Sequence, residues 1–419
     1  MKNFAFWIRL CVFNFFVVSV LGTIMRMNLA SSFVPFLDVK LPFEIFHRYF
    51  QWAHSHFAFY GWVSSCLYVL VLNELRQQYS DLSDKKYYIL MIINQISAYG
   101  MLFSFINGGY YWLSIVFSTI ALVVGFFFFG FLMKDTSGNL SPAFMWFRSG
   151  AFFATFSAVG IFGLAFIMAK KMKTTHADWY RAATYFYMHF QYNGFFFFTC
   201  IGLLISSLKR KGIDIAQKLN DKVIHLSFIG VLLGYGLCIL WVSQFPMGVK
   251  LFFANVGVLQ FVGITLFLNF IRKNWQKYTI DRSFVYKFVL IISLFAFWLK
   301  IFLQILPVIP ALTSYAYNNI SVVIGFLHLV LLMGISVFLI WKILEIGIFR
   351  SSNILVFSVF VLVGGVVLNE VILAILGFAD IFSFSFPNSE NWILLITYIM
   401  MLSIFSIWIN IKIKKMTWV

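Results

Sequence analysis

Seven histidines are the side chains of this sequence best able to bind a metal or carry a proton, and four of them sit in segments fit for hydrocarbon. His54 and His56 lie in "WAHSHFAFYGWV", His189 in "YMHFQYNGFFFF" and His328 in "FLHLVLLMG". An imidazole surrounded by lipid costs free energy unless something binds it. Three kinds of partner are available. A low-spin haem takes one axial ligand from each face and can be held between two helices of a bundle. Copper and zinc both accept imidazole. A Ser, Asn or backbone group on a neighbouring helix can hydrogen-bond the ring. The choice depends on whether the elements carrying these residues bring them to one depth.

The composition sets those elements. The chain has 419 residues, of which 62% are apolar and 11% charged, whereas soluble domains are about half apolar and about a quarter charged. This excludes a conventional water-soluble globule and predicts an all-α polytopic protein in a lipid bilayer. A spanning helix needs about 20 largely apolar residues. Twelve such runs are expected, at 5–26, 50–74, 87–108, 111–133, 143–169, 179–207, 224–243, 250–271, 284–306, 317–341, 353–377 and 392–411. No long linker or soluble segment separates them, so residues 1–419 read as a single transmembrane domain. Arg9 interrupts the first run and no small-x-small cleavage site follows it closely, which makes it a span rather than a signal peptide.

The net charge of +17 invites a nucleic-acid reading, but the basic residues lie between the spans. With a cytoplasmic N-terminus, 22 of the 31 Lys and Arg fall inside and 8 outside, with Lys300 within the ninth span. That asymmetry follows the positive-inside rule, places both termini in the cytoplasm, and assigns the charge to topology and lipid contact. No nucleic-acid partner is expected. Cys11, Cys66, Cys200 and Cys238 all fall within spans and form no CxxC, so they read as small buried apolar residues.

With topology fixed, each histidine acquires a depth. The second and sixth spans run inward, so His54 and His56 lie in the first turns of one. His189 lies about 15 Å below the outer face in the other, at a rise of about 1.5 Å per residue. His328 in the tenth span reaches a similar level. Four histidines from three helices therefore share the outer half of the bilayer. His54 and His56 are separated by about 200° around the helix and cannot both face one haem. His225 reads as interfacial near the cytoplasmic surface, His176 as a solvated loop residue, and His47 as a supporting candidate at the membrane boundary.

These segments resemble the catalytic subunit of the haem-copper oxidases and nitric oxide reductases. "LGTIMRMNLA" is similar to that family's Gly-Thr…Arg-x-Glu-Leu turn, with Asn28 in place of the acid. "AHSHFAFYGW" is similar to its Ala-His-Gly segment and "FLHLVLLMG" to its "HFHYVLSMG". The resemblance implies that His54 and His328 are the two axial ligands of one b-type haem, and it sets His189 where the family has a copper-binding histidine. The sequence then departs from the pattern. The high-spin haem ligand falls on Phe326, the seventh span ends in "LWVSQFP" rather than a His-His pair, and Asn193 stands where a tyrosine is expected, with Tyr192 one place earlier. Ordinary four-electron oxygen reduction is therefore not expected, and whether the chain is an enzyme stays open. A looser similarity connects it to the twelve-helix haem-and-copper membrane proteins of nitric oxide metabolism (NnrS-type). The resemblance implies haem b, a copper or other second metal, and a role in respiratory electron transfer or in nitric oxide or oxygen handling. Its partners would be an electron-donor protein or respiratory complex in a bacterial inner membrane.

Further polar residues fit more than one role. His56 can join His189 in a second metal site or bond a haem propionate. Arg26 and Arg48 can hold propionates by bidentate hydrogen bonds or contact lipid headgroups. Glu370, in "GGVVLNEVILAILGF", can relay protons, neutralise a metal or bond a haem ligand, and can equally be a protonated packing group. Lys300 is expected to snorkel to the outer interface. The competing functional class is a proton-coupled secondary transporter using these histidines and Glu370. It would show inverted repeats and helices broken near the midplane, and the sequence shows no strong internal repeat. The runs of phenylalanine read mainly as lipid-facing and packing residues.

Overall fold

The computed structural model describes residues 4–30, 47–79, 81–138, 141–241, 245–350 and 352–412. Lys2, Lys40, Lys414 and Lys415 of the charge pattern, and Val242, Ser243 and Gln244 of "LWVSQFP", lie outside the described residues.

The described residues contain twelve helices long and apolar enough to cross a membrane. They are α1 (Phe4–Leu29), α2 (His47–Gln78), α3 (Lys85–Gly108), α4 (Trp112–Asp135), α5 (Pro142–Ala169) and α6 (Ala177–Arg210). The second six are α7 (Gln217–Ile239), α8 (Met247–Thr279), α9 (Phe284–Val308), α10 (Ile320–Ile346), α11 (Asn353–Ala379) and α12 (Ser389–Ile409). No strand occurs among the described residues beyond an isolated bridge between Phe349 and Ile411. The protein is an all-α polytopic membrane protein, as its composition requires, because only helices or closed barrels satisfy every backbone polar group within lipid.

Several ends differ from the hydropathy reading, and two of them show a local reason. α8 continues to Thr279 because the polar turns after residue 271 remain helical and bury Tyr278 and Thr279; an apolar count misses such an extension. α10 begins at Ile320, because Asn319 is extended and its side chain accepts from the Val322 N–H, an N-cap separating α10 from the short helix Pro310–Asn318.

The chain divides into two compact units. The first comprises Met1–Val124, Phe284–Val289 and Leu339–Val419, and the second Gly125–Ser283 and Leu290–Phe338. Within the first unit α12 packs against α1 and α11, and α2 packs against α1 and α3. Within the second, α5 packs on α6 and α7 on α8. The most buried spans are α6 and α2, with 94% and 83% of their most apolar window covered, against 28% for α4. His54, His56 and His189 thus lie on the two best-shielded helices and His328 on a less covered one, while Phe103, Phe127, Phe162 and Phe357 face outward as lipid-contact rings.

Three spans change pitch at one place each. Phe57–Ser64 in α2, Phe190–Phe196 in α6 and Leu329–Ser336 in α10 are π-helical, and each begins directly after a histidine: His56, His189 and His328. Every fourth span in chain order therefore carries the same device, a recurrence the residue pattern does not reveal. A π turn displaces backbone carbonyls from the α ladder and is common at functional sites. Side chains satisfy several of the displaced carbonyls, most of them from neighbouring helices. Tyr60 O accepts from Asn94 and Ser65, Gly61 O from Asn14, and Gly334 O from Ser293. These spans stay continuous, unlike the unwound helices of secondary transporters.

Candidate functional site

In the first unit, α2 presents His54 and His56 to different neighbours. His54 Nδ1 lies 3.1 Å from the Val18 carbonyl of α1. A carbonyl only accepts, so Nδ1 carries the proton and Nε2 the lone pair. Nε2 has no protein partner among the described residues. Gly22, one turn beyond Val18, leaves the ring room: a Cβ there would meet His54 Cε1 at 3.4 Å. His56 points instead toward α3 and the loop after it. Its Nδ1 donates to the Trp52 carbonyl at 2.9 Å, its Nε2 meets the Tyr110 hydroxyl at 3.2 Å, and its ring packs on Phe105. The angular separation expected for the two rings is thus realised, and both nitrogens of His56 are engaged within the protein.

The arginines differ as sharply. Arg26 Nη1 forms a 3.0 Å ion pair with Glu390 at the start of α12, while Arg48 is exposed at the first turn of α2. Asn28 contacts the His47 ring at 3.3 Å and so joins the end of α1 to the beginning of α2. Glu370 is partly buried in α11, accepts from Asn369 at 3.2 Å, and pairs with no cation among the described residues.

In the second unit, His189 is 2% exposed. Its Nε2 donates to the Val231 carbonyl of α7 at 2.8 Å, which makes Nδ1 the acceptor. Nδ1 receives the Asn193 amide at 2.9 Å and the Cys238 thiol at 3.2 Å. Cys238 sits in a 3₁₀ turn, Tyr235–Ile239, at the end of α7. That turn is fastened by Tyr317, whose hydroxyl donates to the Leu237 carbonyl, and by Trp241, whose indole donates to the Cys238 carbonyl at 3.0 Å. Burial raises the pKa of the Tyr317 phenol, so it remains a donor. His328 is partly buried at the entrance to the α10 π segment, and the π segments of α6 and α10 touch. His176 and His225 are exposed.

Two expectations change. Cys238 is not merely a small apolar filler, because its thiol bonds an imidazole; no sequence motif signals this, since 49 residues separate the pair. Lys300 does not snorkel. It is 4% exposed and close enough to Cys238 and His189 to act on both electrostatically. Its place in the ninth span faces the packed interior, a choice that hydropathy cannot make.

Lys342, counted with the cytoplasmic charges, is a second buried lysine. It is 1% exposed and contacts Glu345 at 2.7 Å and Glu74 at 3.4 Å, with both carboxylates buried. Among the described residues no group of three or more His, Cys, Asp or Glu side chains forms a metal-ligand set. No protein-family model matches the sequence, and no curated protein matches it.

Proposed function

We propose that this chain is a membrane b-type haem protein, related to the haem-copper oxidase and nitric oxide reductase catalytic subunits, that serves respiratory electron transfer or the handling of nitric oxide or oxygen. His54 and His328 are the axial-ligand candidates. The observation that supports this most is the state of His54. Ligating histidines characteristically donate their second ring N–H to a carbonyl or carboxylate, which fixes the tautomer and raises the basicity of the ligating nitrogen. His54 does this through Val18 and leaves Nε2 with its lone pair and without a protein partner among the described residues. Bound there, a haem supplies a one-electron couple whose potential follows from its axial ligands and the polarity around it.

The surrounding residues fit that role. Arg26, held by Glu390, keeps further guanidinium donors for a propionate, and Gly22 gives the ring clearance. Both termini would face the cytoplasm of a bacterial inner membrane. The departures at Phe326 and Asn193 argue against a complete oxygen-reducing centre, and a second metal would need ligands other than the family's. The test is a comparison of oxidised and dithionite-reduced spectra of the purified protein, with a pyridine haemochrome assay and metal analysis. A b-type α band that disappears in His54→Ala and in His328→Ala supports the reading. A colourless protein from haem-replete cells rejects it.

One observation favours the alternative of a proton-coupled transporter. Glu370 is a carboxyl group within a span, hydrogen-bonded to Asn369 but paired with no cation among the described residues, the state of a group that exchanges protons. Proton-coupled uptake in proteoliposomes, lost in Glu370→Gln, would carry that reading.

A further inference from the structure

We infer that Lys300 and Gln260 bind one small monovalent anion, a halide or an ion of similar size, in the interior of the second unit where α7, α8 and α9 meet. The site lies wholly within that unit and is independent of the haem reading.

An ammonium group in a packed membrane interior costs free energy unless a counter-charge or acceptors meet it. Lys300 is 4% exposed and has no carboxylate partner among the described residues. Two events would relieve it: loss of its proton, or arrival of an anion. Gln260 decides between them. It is 1% exposed, its Oε1 accepts from Gln304 Nε2 at 2.6 Å, and its own Nε2 is buried with no hydrogen-bond partner among the described residues. A buried amide donor without an acceptor carries its full desolvation penalty. A neutral Lys300 amine would offer a lone pair to such a donor, yet no bond joins the two side chains. Loss of the proton therefore leaves Gln260 unsatisfied, whereas an anion within reach of both groups satisfies both.

The helices bring these donors to one interface. The Gln304 N–H donates to the Lys300 carbonyl at 3.1 Å, so the two side chains follow one another on one face of α9. Gln304 carries that face to α8 through its bond to Gln260. α7 closes the third side. A Cβ at Gly230 would meet Gln260 Cβ at 2.5 Å, and one at Gly257 of α8 would meet Ile305 of α9 at 2.8 Å and Leu237 of α7 at 3.0 Å.

Between these two tight contacts the packing opens. Gly234 lies one turn beyond Gly230 on the same face of α7. A Cβ there would approach no described neighbouring side chain more closely than His189 Cε1, at 3.9 Å. Lys300 is within electrostatic reach of that same ring. An opening bounded by close packing on either side suits a monatomic ion or one little larger. A single negative charge neutralises the ammonium, while a divalent anion would leave a net charge buried.

The experiment uses full-length protein in detergent, exchanged into sodium gluconate, whose anion is too large for such an opening. Chloride then replaces gluconate at constant ionic strength. Radiolabelled chloride is counted by equilibrium dialysis, and the thermal midpoint is followed in parallel. The expected result is one chloride per chain and a midpoint that rises with the logarithm of chloride concentration above the Kd. Lys300→Met abolishes both, and Gln260→Leu weakens binding about 10-fold. The inference is overturned if the wild type shows no saturable chloride binding, as a neutral Lys300 requires, or if Lys300→Met or Gln260→Leu binds chloride as the wild type does. Repeating the titration on His54→Ala, with haem content measured in parallel, keeps the two proposals apart, since chloride held at a haem iron would be lost with the haem and chloride held by Lys300 would stay.

Discussion

Each unit buries one imidazole against a neighbouring helix and one lysine in its interior, and the two units resolve these placements oppositely. In the first, His54 gives its Nδ1 proton to Val18 and keeps Nε2 as a lone pair without a protein partner among the described residues. In the second, His189 gives its Nε2 proton to Val231, and its Nδ1 meets a thiol and an amide. Lys342 of the first unit is matched by Glu74 and Glu345, while Lys300 of the second, equally buried, has no carboxylate partner among the described residues. The residue types are the same, but the ring nitrogen that is offered and the charge left to balance are not. A histidine within a span therefore acquires a ligand class only when the acceptor at its other nitrogen is known.

The sharpest way to break this comparison is to exchange the two histidines' predicted losses. His54→Ala should abolish the b-type absorbance entirely, and His189→Ala should leave it in place. Loss of the absorbance from both variants would mean that the two histidines do not act separately.

The lysines give the next largest contrast. Removing one member of a buried ion pair costs about 3–5 kcal/mol, so Lys342→Met should lower the thermal midpoint in detergent markedly. Lys300→Met removes a buried amine that has no carboxylate partner among the described residues, and should be neutral or stabilising. Equal losses would show that Lys300 is compensated after all.

Glycines test the packing around each ring. A Cβ at Gly194 would approach Phe153 Cβ to 2.4 Å within a packed aromatic cluster, so Gly194→Ala should destabilise by about 1–3 kcal/mol. At Gly22 the added methyl meets His54 at ordinary contact distance, 3.4 Å. Gly22→Ala should fold normally, and any change should appear in the haem spectrum rather than in stability.

The smallest effect belongs to the surface of the second unit. Lys211 donates to Asp281 at 2.6 Å and holds that exposed carboxyl below its ordinary value of 3.8. A depressed carboxylate contributes stability above its unfolded pKa and loses it as pH falls through the folded one. Asp281→Asn should thus produce only a slight loss near neutrality, screened by solvent and salt. The difference from wild type should vanish in acid, as a pH series of melting curves would reveal.

The twelve spans and their approximate ends were legible from hydropathy alone, because the bilayer imposes length and apolarity on every crossing helix. The candidate histidines were legible too, since an imidazole in such a run is conspicuous, and so was the divergence of His54 from His56, which follows from 100° per residue. The π segments after His56, His189 and His328 were not, because a pitch change depends on donors such as Asn14, Asn94 and Ser293 arriving from other helices. Nor was the His189–Cys238 contact, which needs α6 and α7 to be packed before the thiol and ring can meet. Sequence by itself determined the solvent, the number of crossings and the residue types available for chemistry. Tertiary structure decided which ring nitrogen is free and which buried charge is paired, because both depend on the groups that a neighbouring helix presents at the same level.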